Sequence, residues 1–97
     1  MVKQVVWSPR AQSERKSVLK YWLNRNKSKT YSLKLNLLIK EGISLILSNQ
    51  EIGRKTDVPN VRIKIVRDYL IFYEVQNETI YILSFWDSRQ NTEKLRL

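Results

Sequence analysis

The sequence predicts an α+β domain in which an N-terminal strand and a two-helix antiparallel hairpin pack on a mainly antiparallel four-stranded sheet. Three observations predict it. Apolar residues recur at helical spacing from Pro9 to Ser48. Past the Gly- and Pro-bearing stretch 49–60 the period changes to two. The three apolar runs that follow are divided by short polar breaks of the kind that close hairpins.

Each element has its own signal. "KQVVW" (3–7) is a short β-prone run, placed at a sheet edge. Ser8 then offers an N-cap and Pro9 a first helical position, where a missing N–H costs nothing. A helix from Pro9 to about Asn24 sets Ala11, Val18 and Trp22 on one stripe, flanked by Leu19 and Leu23, which makes Trp22 a core residue rather than a ligand-binding one. After the polar loop 24–29, Ser28 or Thr30 caps a second helix to about Ser48. Its common face reads Tyr31, Leu35, Leu38, Gly42, Leu45 and Ile46. Glycine is costly inside a helix, so Gly42 predicts a close approach of the neighbouring element. "VRIKIV" (61–66), "YLIFYEV" (69–75) and "TIYILSFW" (79–86) form the meander, turning at Arg67-Asp68 and at Gln76-Asn77-Glu78. Tyr69, Ile71 and Tyr73 share one face of their strand.

Composition narrows the chemistry. Ninety-seven residues predict one domain over 1–97, with 42% hydrophobic residues to build a modest core. The chain has no cysteine, hence no disulfide framework or thiolate metal site, and no histidine, the commonest general base. No metal site and no cofactor is expected. No apolar stretch is long enough to span a bilayer and no signal peptide opens the chain, which predicts a cytoplasmic protein.

The net charge of +9 predicts an anionic partner, and it is uneven. Residues 1–50 carry ten Lys/Arg and two Glu, or +8, whereas 51–97 carry eight and seven acids, or +1. Arg62 and Lys64 alternate with Val61, Ile63 and Ile65. If the helices cover the apolar side, both bases point outward, with Lys55 before them and Arg67 close by. The last strand runs into Asp87-Ser88-Arg89-Gln90-Asn91, where nearly every side chain forms hydrogen bonds. Arg89 is the leading candidate there, because a guanidinium fork suits phosphate or carboxylate; its alternative is a local salt bridge with Asp87. Gln90 serves the same surface or simply turns the chain. Lys94 positions a nucleic-acid backbone or meets an acidic protein side chain. Trp86 either packs beneath Arg89 or stacks on a base.

Three segments, "WSPRA" (7–11), "IGRKTDVPNVRIKIVRDYLIFYEV" (52–75) and "WDSRQNTEKL" (86–95), together with the element order, resemble the RelE/ParE family of bacterial toxins. The resemblance implies the toxin half of a type II toxin–antitoxin module, also called a plasmid stabilisation protein. It would inhibit growth when free and be neutralised by a cognate antitoxin through an extended, often acidic segment. One branch of the family cuts mRNA on the ribosome; the other, ParE-like, inhibits DNA gyrase. This chain has Leu70 where the nuclease branch tends to carry Arg, and neither Tyr nor His after Trp86. RNA cleavage needs proton transfer as well as charge stabilisation, and Arg and Lys supply the latter. The proton acceptor would have to be a Lys with its pKa lowered considerably, or Asp87 or Glu93, which read more simply as capping or ion-pairing groups. The ParE-like branch is therefore favoured, with a ribosome-dependent endoribonuclease or a non-toxic antitoxin-binding relative as alternatives. On either target, Lys55, Arg62, Lys64, Arg67, Trp86, Arg89, Gln90 and Lys94 are expected to line one continuous cationic surface.

Overall fold

The computed structural model describes residues 4–26 and 29–90. Its elements are β1 (Gln4–Trp7), α1 (Pro9–Asn26), α2 (Thr30–Ser48), β2 (Arg54–Lys55), β3 (Val61–Val66), β4 (Tyr69–Gln76) and β5 (Thr79–Asp87). The strands form one sheet in the order β1-β5-β4-β3-β2. All neighbours are antiparallel except β1, which runs parallel to β5 along the edge.

The sheet has five strands rather than the expected four. The added one, β2, is two residues long and pairs Arg54 with Ile63 and Lys55 with Arg62. A pair of residues is too short to show alternation, so it is invisible beside Gly53 and Pro59.

Ser8 starts α1 as its residue type dictates. Its hydroxyl accepts from the Ala11 N–H at 3.0 Å and its carbonyl from Gln12 N–H at 2.9 Å. The same residue ties the helix start to β5, its N–H donating to the Ile82 carbonyl and its Oγ to that of Leu83. At the start of the second helix Lys29 occupies the N-cap with no side-chain cap bond, Thr30 is already helical, and Ser28 lies outside the described residues. Ser32 Oγ donates to Leu19 O at 3.1 Å and so fastens α2 to α1.

Both helices lie on one side of the sheet, α1 over β5 and α2 over β3. The core between the layers holds Ala11, Leu35, Ile39, Ile46, Val66, Tyr69, Ile71, Tyr73, Ile80, Ile82 and Phe85. Tyr69, Ile71 and Tyr73 share a face as the period of two requires. Trp22 packs against this core and donates its indole N–H to Tyr69 Oη at 2.7 Å. Gly42 is needed for contact: a β-carbon there would stand 2.9 Å from Val66 Cγ2, too close for either residue to keep its place.

The buried stripe of α2 differs from the expected one. Leu35, Ile39, Gly42 and Ile46 are buried, whereas Leu45 is on the surface and Leu38 only half-buried. Apolar residues encircle α2, so the pattern fixes its helicity but leaves its rotation to packing.

One further device is built on a β-bulge. Across β4 and β5, Phe72 pairs with Ser84 and Tyr73 with Ile82, leaving Leu83 as the extra residue. The displaced Phe85 N–H donates to Glu14 Oε1 at 3.1 Å, and Ser84 Oγ to the same oxygen at 2.9 Å. Glu14 of α1 thus satisfies a backbone donor that the ladder leaves over.

Candidate functional site

The register of β3 decides where the predicted cations go. Arg62 pairs with Tyr73, Lys64 with Ile71 and Val66 with Tyr69. These partners belong to the core, so Arg62 and Lys64 lie on the helix side of the sheet. The expectation that they point outward is overturned, because α2 stops short of covering the whole strand. At Val66 it packs tightly over Gly42, and towards Arg62 it has given way to the loop after Ser48.

Arg62 has a local task there. Its Nη1 donates to the Gly53 carbonyl at 2.8 Å and the Glu51 carbonyl at 3.2 Å, holding the loop that follows α2. Tyr73 reaches the same loop from below, accepting from Gly53 N–H at 2.9 Å and donating to the Gln50 carbonyl at 2.8 Å. Burial pushes the Tyr73 phenol above its ordinary value, although the Gly53 bond and the nearby Arg62 charge partly offset this. Lys55, exposed on β2, lines the same cavity as Arg62 and Tyr73.

The other candidates lie elsewhere. Lys64 borders α2 beside Gly42, and Arg67 sits exposed at the β3–β4 turn with φ 56°, both lining a shallow cleft with Leu38 and Leu45. Arg89 and Gln90 are exposed past β5, in a hollow with Ser17, Tyr21, Tyr69 and Asp87. Arg89 forms the local pair: its Nε and Nη2 donate to the two Asp87 oxygens at 2.9 and 2.7 Å, and its backbone N–H to Oδ1 at 2.9 Å. Those bonds from Arg89 hold the Asp87 carboxyl below its usual range and raise the guanidinium in turn. Trp86 pairs with Leu70, on the face opposite Tyr69 and Asp87, so it does not pack beneath Arg89. Its buried indole N–H has no hydrogen-bond partner among the described residues. Lys94 lies outside them.

Among the described residues the candidates therefore gather in three places, Lys55 with Arg62, Lys64 with Arg67 and Arg89 with Gln90, rather than along one cavity. The sheet face left open by the helices is apolar instead. A groove of about 730 Å³ crosses it, lined by Val61, Ile63, Leu70, Phe72 and Leu83, with Lys55, Asp57 and Glu74 among its charged borders. Ile65, Tyr81 and Val6 carry the apolar surface further, each more than a third exposed. Sequence reasoning missed this face because it assigned the apolar side of β3 to the core. The signal was available in β4, where Leu70 and Phe72 are as apolar as Tyr69, Ile71 and Tyr73, so that both faces of the sheet could not be basic.

The chemistry on offer is correspondingly limited. Among the described residues there is no group of three or more His, Cys, Asp or Glu placed to hold a metal ion. Burial raises the Tyr69 and Tyr73 phenols above their ordinary value, and the Asp87 and Glu14 carboxylates are engaged as acceptors. Among the described residues no helix is long and apolar enough to cross a membrane.

Two helices on one side of a mostly antiparallel sheet, with a parallel edge strand and an apolar outer face, define a small α+β domain. Comparison with known proteins places it. Residues 5–92 match the family of the ParE toxin of type II toxin-antitoxin system, parDE, and the chain belongs to that family. A solved structure of a chromosomal ParDE TA system from P. aeruginosa is similar in fold, with 20% identity and a TM-score of 0.75 over 89% of this chain and 96% of that one. No curated protein matches the chain.

Proposed function

We propose that this protein is the toxin of a type II module, neutralised by a cognate antitoxin and directed at DNA gyrase rather than at mRNA. The family membership supports the toxin reading and the antitoxin partner. The observation that carries the choice of target is the apolar outer face of the sheet. In-line attack by an RNA 2′-OH requires a proton acceptor and cations converging on one phosphate. Here Leu70 and Leu83 occupy the open face, Lys55 stands at its border beside Asp57 and Glu74, and Arg89 is paired with Asp87 in a separate hollow. An apolar face of this kind suits a protein partner, whose side chains bury it, far better than a polyanion.

Expression with and without the cognate antitoxin tests the module: growth arrest relieved by the antitoxin is the expected result. Purified protein then separates the targets. Loss of gyrase supercoiling supports the proposal, mRNA cleavage that requires ribosomes replaces it with the nuclease reading, and antitoxin binding with neither activity marks a non-toxic relative.

A further inference from the structure

The outer face of α2 has no role in anything described so far. The helix buries Leu35, Ile39, Gly42 and Ile46 against the sheet, yet Leu33 is 60% exposed, Leu37 65%, Leu45 43% and Leu47 38%. At 100° per residue Leu33 and Leu37 share one face, roughly opposite the buried stripe. A helix apolar on both sides is normally covered on both sides.

We infer that a second copy of this chain covers it, through an antiparallel α2–α2 contact with Leu37 on the two-fold axis. The charges on this face argue for that occupant and that register. Lys34 and Glu41 are seven residues apart and so lie on the same flank of the leucine stripe. Among the described residues neither makes an ion pair. In an antiparallel helix pair like flanks face each other. With Leu37 against its own copy, position 34 of one helix is level with position 40 of the other, which lies on the far flank of the stripe. Position 34 is also within one residue rise, about 1.5 Å, of position 41 on its own flank, and symmetry repeats the pair. Each two-fold contact then brings Lys34 near Glu41 twice, around a centre of Leu37 with Leu33 beside it. Sliding the axis to Lys40 would instead oppose two lysines. The contact is isologous and closes on itself, so it ends at a dimer. It uses neither the sheet's outer face nor the Arg89 end, and it holds whichever target the toxin has.

Sedimentation velocity on the purified chain tests this, over about 5 to 500 μM because a helix pair of this size lies at the small end of specific interfaces. The mass is expected to rise with concentration from 11.6 kDa towards twice that value. Leu37→Asp is expected to remain monomeric throughout, with unchanged circular dichroism because the position is on the surface. Lys34→Glu and Glu41→Lys should each weaken the dimer about tenfold, two attractive pairs becoming repulsive ones. The double swap K34E/E41K should restore it to within a few-fold. A monomer at every concentration overturns the inference, even where another protein's helix is found to bind these leucines. A dimer unaffected by Leu37→Asp, or a double swap that fails to restore association, overturns it equally.

Discussion

The Tyr73 hydroxyl occupies the space that a side chain on Gly53 would need: a β-carbon built there lies 2.5 Å from Tyr73 Oη. The phenol is both acceptor and donor, taking the Gly53 N–H and giving its own proton to the Gln50 carbonyl. This closes the loop between α2 and β2. Gly53→Ala must expel the ring from this position and is expected to destabilise by about 1–3 kcal/mol, the usual range for overpacking. Tyr73→Phe keeps the ring but leaves buried partners unmet, at a cost of roughly 1–3 kcal/mol. Because both changes break the same bonds, the double variant should lose clearly less than the sum in urea denaturation. Strict additivity would show that the two residues are not coupled.

The same phenol sets an alkaline limit. Tyr73 and Tyr69 both have their ionisation raised above 10.0, in each case chiefly by burial. In the unfolded chain they deprotonate near that ordinary value, so the stability due to their neutral state is complete below pH 10 and is lost as pH climbs through the higher folded values. Thermal midpoints should therefore fall steeply above pH 10, and Tyr73→Phe should flatten the fall. Asp87 works in the opposite sense. Its carboxyl is lowered by Arg89, so its contribution is present above the ordinary 3.8 and disappears as pH drops through the lower folded value. A midpoint flat from neutrality to pH 11 would contradict the assignment of buried, neutral tyrosines.

Glu14 supplies a third expectation. It accepts from Phe85 N–H and Ser84 Oγ at the β5 bulge, with Arg10 Nε 3.5 Å from its other oxygen. Glu14→Ala should cost about 1–3 kcal/mol, since a backbone donor and a hydroxyl lose their acceptor. Glu14→Gln keeps one acceptor oxygen and should recover part of that loss. Hydrogen exchange at Phe85 gives a local reading: faster exchange is expected in the Ala variant, and unaltered protection would place the stabilisation elsewhere.

All the elements but the two-residue β2 were legible in the chain, because Ser8-Pro9, the change of period near residue 60 and the two hairpin turns are local signals. At the second turn Asn77 and Glu78 both have positive φ, as a two-residue hairpin loop requires. The orientation of the elements was not legible. Alternation shows that β3 has a basic and an apolar side but not which one meets the helices; that is decided by β4, whose Tyr69, Ile71 and Tyr73 take the core side and bring Arg62 and Lys64 with them. Likewise α2 has leucines all round, and only the docking of Gly42 on Val66 chooses Ile39 over Leu38. The local pairing of Arg89 with Asp87 could be foreseen, since they stand two positions apart in a turn. The placing of Trp86 depended on register, and so on long-range contacts.

The outer face of the sheet yields the prediction that bears most directly on function. If the antitoxin buries this face, a charge placed there must be desolvated in the complex while remaining hydrated in the free toxin. Ile65 is the position to change, being 47% exposed and on the outer side of β3, opposite Leu70. Because the site is already half in water, Ile65→Asp should lower the stability of the free chain by only about 1 kcal/mol. Antitoxin affinity measured by calorimetry should fall at least about tenfold, which corresponds to 1.4 kcal/mol. Arg89→Ala provides the contrast, since its guanidinium is already satisfied by Asp87 and lies at the far end of β5. It should change the affinity less than Ile65→Asp does. The reverse ranking would move the antitoxin contact from the apolar face to the Arg89 hollow, and with it the surface left open for the toxin's target.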